Sequence, residues 1–135
     1  LWSRVLRLFY CLFAIYRIMM YYCSMYSREL LKGILRPIIL KLLADNGKMY
    51  GYEITQKVRE VTNDSLQIKE GALYPALHKL QAQGYLTVEA EKVNNRIRKY
   101  YKLTESGEKE TVNMLEDLKQ YIQDMQLVIN PKLSY

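Results

Sequence analysis

The apolar residues of this chain recur every three or four positions through three successive segments, and then every second position through a fourth. A helix repeats every 3.6 residues and a strand every 2, so the switch orders the elements as helix, helix, helix, hairpin. The first segment is expected over Ser27 to Ala44, with Leu30, Leu31, Ile34, Leu35, Ile38, Ile39, Leu42 and Leu43 on one broad face. Ser27 is an expected N-cap with Glu29 in the first turn. Pro37 removes a helix hydrogen bond and is expected to kink or break this helix. Asp45-Asn46-Gly47 ends it. The second helix is expected over Gly51 to Thr62, with Tyr52 or Ile54, Val58 and Val61 inward. Asn63-Asp64-Ser65 follows as a turn, then Leu66-Gln67-Ile68 as a short extended piece. The third covers Glu70 to Gln83, with Leu73, Ala76, Leu77 and Leu80 facing the core, Pro75 near the first turn and Gly84 as the terminating glycine.

The strand-period part begins at Tyr85 and runs to Val93, where Leu86, Val88 and Ala90 alternate with Thr87, Glu89 and Glu91. Asn94-Asn95 tolerate the left-handed conformations that a tight hairpin turn requires. Ile97 to Leu103 returns. Thr104 caps a last helix reaching about Ile129, with Glu105 and Glu108 at its positive end. This order gives a mainly α fold with a small β-hairpin wing: a winged helix-turn-helix domain plus a C-terminal dimerisation helix. The expected sections are an atypical apolar extension over 1–25, the winged domain over 26–103, and the dimerisation helix with its tail over 104–135.

Composition narrows the function more by exclusion than by assignment. The chain has 135 residues, 50% hydrophobic and 25% charged, which is ordinary for a folded protein. Its net charge is +6, compatible with a nucleic-acid partner. The distribution is more telling: Lys92, Arg96, Arg98, Lys99 and Lys102 follow one another with no acid between them. The alternative reading of such a run is a solvated edge strand protected from aggregation. Both cysteines, Cys11 and Cys23, precede Tyr26, which leaves the rest without a thiol nucleophile, a cysteine zinc site or a disulfide and fits a reducing cytoplasm. His78 is the only histidine, so no multi-histidine metal site is expected. Without a paired acid and nucleophile or a phosphate-binding glycine loop, no enzyme, cofactor or metal is expected.

Leu1 to Met25 stands apart. It is crowded with aromatics and carries Arg4, Arg7 and Arg17. Its apolar run from Leu8 to Tyr16 is too short for a bilayer, which needs about 20 residues. Three readings stay open: a non-native extension with Met25 as the true start, an amphipathic helix packed on a partner, or a membrane-surface anchor, the last being the least expected. Without it the net charge is +3, from 17 basic and 14 acidic residues.

Several pieces, taken in order, resemble the PadR-like transcriptional regulators. They are Leu42-Leu43, Tyr50-Gly51-Tyr52-Glu53-Ile54, Gly71-Ala72-Leu73-Tyr74-Pro75-Ala76-Leu77, Leu80 with Gly84-Tyr85-Leu86, and Arg96 through Thr104 with Gly107. The resemblance spans about Arg28 to Met125, and the single helix after the wing looks like the subfamily with a short C-terminal region. It implies a cytoplasmic homodimer that represses transcription from an inverted-repeat operator in double-stranded DNA and is released by a small-molecule effector. The final helix departs from the pattern in having Tyr121 as its only aromatic.

On this reading the third helix enters the major groove. Ala72, Tyr74, Pro75, His78 and Lys79 are its candidate contacts, Ala72 and Pro75 allowing close approach and Tyr74 and Lys79 reaching phosphates. For Tyr74 a packed aromatic is the competing role. In the wing, Arg96, Arg98 and Lys99 are candidates for phosphates or the minor groove. Alternation groups Arg96, Arg98, Tyr100 and Lys102 on one face and Ile97, Lys99, Tyr101 and Leu103 on the other. Leu115, Leu118, Ile122, Met125 and Ile129 form a 3-4-3-4 seam for the dimer; the competing reading packs that seam on its own domain. A winged-helix protein-interaction module without specific DNA binding is the alternative function.

Overall fold

The computed structural model describes residues 2–130, with side chains over 10–16 and 29–130. The tail 131–135, Cys23 and most side chains of the leading section lie outside them. The elements in order are α1 (Trp2–Asn46), β1 (Met49–Tyr50), α2 (Gly51–Val61), α3 (Glu70–Ala82), β2 (Leu86–Val93), β3 (Arg96–Leu103) and α4 (Glu105–Ile129). The chain divides into two compact units, 1–33 and 34–135.

In the first unit, Tyr10, Leu12, Phe13, Ile15 and Tyr16 are exposed, as is the free thiol of Cys11. Helix α1 does not start at Ser27: it begins at Trp2 and passes through that position. No glycine or proline precedes Gly33, so nothing in the backbone interrupts the helix earlier. Pro37 does not break it either. Among the described residues no helix is long and apolar enough to cross a membrane.

The second unit holds the winged fold. From α1 it buries Leu35, Ile39, Leu40 and Leu43. Three of these follow i, i+4 spacing, and Leu40 beside Ile39 widens the stripe. Ile34, Ile38 and Leu42 lie at its margins. Gly47, with φ +79°, turns the chain out of α1 as a C-terminal glycine does. From α2 the core receives Ile54 and Val58, while Tyr52 and Val61 stay outside. Asn63 and Asp64 both adopt positive φ at the turn, where the Arg59 guanidinium meets Asp64 at 2.9 Å. The piece at 66–68 belongs to neither a helix nor a strand, and its Ile68 is buried in the core.

Helix α3 contributes Leu73, Leu77 and Leu80, all fully buried. Fully buried leucines of this kind each stabilise by roughly 2–5 kcal/mol relative to alanine. Pro75 lies beyond the first turn of α3, so the helix continues across a missing hydrogen bond rather than beginning with one. Gly84, with φ +81°, ends it.

The sheet has three strands in the order β1-β3-β2, all antiparallel. Asn94 and Asn95 have φ of 49° and 60°, the pair of left-handed residues that a two-residue type I′ hairpin needs. Leu86, Tyr101 and Leu103 line the buried face. The third strand is β1, which places Met49 opposite Tyr101 and Tyr50 opposite Tyr100.

Candidate nucleic-acid interface

Helix α3 divides cleanly by burial. With Leu73, Leu77 and Leu80 inward, Ala72, Tyr74, Pro75, His78 and Lys79 all fall on the exposed side. Tyr74 is held more closely than the others. Its hydroxyl end lies against Gly51, the first residue of α2, where an added Cβ would come within 2.7 Å of the oxygen. Glycine at 51 is therefore what lets Tyr74 fold over the start of α2. The ring remains 37% exposed, so the side chain is both packed and open to solvent.

The start of α2 is fixed by Glu53, whose carboxylate accepts from the backbone N–H of Tyr50 at 3.0 Å. At the other end of α3, the Arg36 guanidinium donates to Gln83 Oε1 at 2.6 Å. The Arg36 Nε is buried, with no partner among the described residues.

In the wing, Arg96, Ile97 and Lys99 are exposed near the hairpin tip, and Ile97 is 75% accessible. Arg98 is half-buried because its guanidinium lies over the ring of Tyr50, 4.6 Å from the centroid. Tyr50 also meets Tyr100 edge-on, with centroids 5.5 Å apart, and stacks on Tyr52 at 6.3 Å. Lys48 lies over Tyr100 at 5.2 Å. Two cations and three tyrosines thus share the outer face, in the geometry of cation–π contacts.

That face also carries acid. The basic run is acid-free only along its own strand, because the antiparallel register sets Glu89 opposite Tyr100 and Glu91 opposite Arg98. Lys48 bonds Glu91 and stands 3.9 Å from Glu89. The hydrogen bond to Glu91 is the main cause holding the Lys48 ammonium above its ordinary pKa. The candidate contacts read from the sequence include neither Lys48 nor Tyr50. The available signal was the Lys-x-Tyr spacing at 48–50, which puts both side chains on one face of an extended segment.

Helix α4 leaves the domain after its first turns. Gly107 and Thr111 are buried, whereas Leu115, Leu118 and Met125 are half-buried and Ile122 and Ile129 are 48% and 73% exposed. Two of the five seam residues are thus exposed, and Leu127 and Val128 extend the exposed apolar surface. Among the described residues no cluster of three or more His, Cys, Asp or Glu side chains forms a metal site.

Three helices with a basic antiparallel wing define the winged-helix class of regulator. The transcriptional regulator PadR-like family model matches residues 39–113, and the chain belongs to that family. A transcriptional regulator of Mycobacterium tuberculosis is 36% identical over 80 residues, covering 59% of this chain and 71% of the relative. The structure of a transcriptional regulator from Clostridium thermocellum superposes with a TM-score of 0.66 at 32% identity, covering 76% of this chain and 96% of that one. Bacillus subtilis PadR, solved in complex with operator DNA, superposes with a TM-score of 0.56 at 32% identity, covering 61% of this chain and 46% of that one. These relatives are regulators, and the family assignment makes this chain a transcriptional regulator rather than an enzyme.

Proposed function

We propose that this regulator binds double-stranded DNA sequence-specifically, as a homodimer on an inverted-repeat operator, and represses transcription there. The observation that carries the reading is the similarity to Bacillus subtilis PadR, which was solved on its operator and is described as a negative transcriptional regulator. The exposed side of α3 supports it, with Ala72, Tyr74, Pro75, His78 and Lys79 available to a groove. Arg96, Arg98 and Lys99 serve as wing contacts to the phosphate backbone. The open apolar seam of α4 supports the dimer, because an apolar stripe of this kind in water calls for a partner helix. Release by a small-molecule effector rests on the family resemblance alone; action in the cytoplasm rests on that resemblance and on the absence of cysteine after Cys23.

The acid pair Glu89 and Glu91 on the outer wing face favours a second reading, a winged-helix module that binds protein and not DNA. Fluorescence anisotropy with the duplex upstream of the protein's own gene, across a salt series and against a scrambled duplex, separates the two. Salt-steep binding that prefers the native fragment is the expected result. No binding to either duplex at low salt would favour the protein-interaction module.

A further inference from the structure

Arg98 stands directly across the hairpin from Glu91. Opposite charges in that position ordinarily pair, yet among the described residues they do not. Glu91 is taken by Lys48, which enters from the residue before β1. Arg98 lies instead on the ring of Tyr50, 4.6 Å from its centroid. A guanidinium seated on a ring face keeps its N–H edges available, and five donors in a planar fork suit a phosphate. A guanidinium locked to a carboxylate loses both its edge and its net charge.

We infer that Lys48 and Tyr50 are positioning residues for Arg98: Lys48 draws Glu91 away, and Tyr50 provides the seat that presents the guanidinium to a DNA phosphate. The inference rests on the DNA-binding reading for its consequence but not for its geometry. Lys48 is further engaged with Glu89 and Tyr100, which fixes it on the acid side of the face. Tyr50 is fixed in turn by its edge contact with Tyr100 and by the hydrogen bond from its backbone to Glu53. The β1 segment, only two residues long, thereby decides how a side chain on β3 is used.

Two measurements on the full chain test this. The first needs no DNA. The ring of Tyr50 should shift the Arg98 Cδ protons upfield in an NMR spectrum. The shift should be lost in Lys48→Met, where Glu91 captures Arg98, and should return in the double variant Lys48→Met/Glu91→Gln. It should persist in Tyr50→Phe and vanish in Tyr50→Leu. The second is DNA affinity against salt. Arg98→Ala, Lys48→Met and Tyr50→Leu should each lower affinity about tenfold at 0.1 M salt and reduce the salt slope by about one, the worth of one phosphate contact. Tyr50→Phe and Lys48→Met/Glu91→Gln should bind like the parent.

Failure of Glu91→Gln to restore the Lys48→Met variant would overturn the inference, because Lys48 would then act directly or not at all. So would an unchanged slope in Tyr50→Leu. If the parent binds no duplex while the proton shifts behave as stated, the DNA-binding reading fails and the seat stands. If the shifts are absent, the seat itself is wrong, whatever the DNA does.

Discussion

Gly107 rests against the carbonyl oxygen of Tyr85 so closely that a Cβ added to it would lie 2.1 Å from that oxygen. The obstacle is backbone, held by the hydrogen bond that Thr104 N–H donates to the same oxygen at 3.0 Å, so it has no rotamer by which to yield. Gly107→Ala should cost about 2–3 kcal/mol, the upper part of the usual range for overpacking a closed site. Urea unfolding followed by circular dichroism measures it; an unchanged midpoint would show that the corner between β3 and α4 opens freely.

The Thr104 hydroxyl ties two elements at that corner. It accepts from the N–H of Gly107 at 3.0 Å as an N-cap and donates to the Gly84 carbonyl at 2.6 Å. Thr104→Ala should lose about 1–2 kcal/mol, whereas Thr104→Ser should keep most of it. Equal losses in the two variants would locate the effect in the methyl group and not the hydroxyl.

Alkaline pH should find Tyr101. Burial, and then the neighbouring Tyr74, push its phenol above the ordinary 10.0. A group whose folded pKa is raised stabilises fully below its unfolded value and loses that contribution as pH rises through the folded one. Stability should therefore fall above about pH 10, and Tyr101→Phe should flatten that fall. Unfolding midpoints taken from pH 8 upward, compared between parent and variant, decide the matter. Parallel curves would assign the alkaline loss to other groups.

The seam of α4 gives a test of assembly. Leu118→Glu with Ile122→Glu places charge on the stripe without touching the buried core, since Ile122 is 48% exposed and Leu118 half-buried. If the proposed dimer forms through this seam, light scattering after gel filtration should report a dimer for the parent and a monomer for the variant, with the far-ultraviolet spectrum little changed. A dimer that survives both substitutions would move the interface elsewhere.

What the sequence made legible is what depends on near neighbours. The Asn94-Asn95 turn, the Gly84 stop, the Thr104 cap and the inward leucines of α3 each follow from residues a few positions apart, and the structure has all of them. Features that depend on register across the fold escaped. Two residues are too few to display alternation, so β1 went unseen, and with it the partnership of Lys48 and Tyr50 with β3. The wing looked free of acid because Glu89 and Glu91 meet the basic strand only after the hairpin closes. Helix α1 ran on past Ser27 because a good capping residue does not end a helix whose backbone can continue on both sides. Pro37 and Pro75 were absorbed within helices for the same reason: losing one hydrogen bond need not outweigh the packing of Leu35, Ile39, Leu73 and Leu77 around them.

The hydroxyl of Ser106 joins that of Thr104 on the Gly84 carbonyl, so the residue that ends α3 and the residues that start α4 are welded at one point. Any force applied along α4 would reach the end of α3 through these two hydroxyls and the single carbonyl they share. In the proposed dimer, the packing of α4 and the spacing of the two α3 helices would then be joined at this one carbonyl.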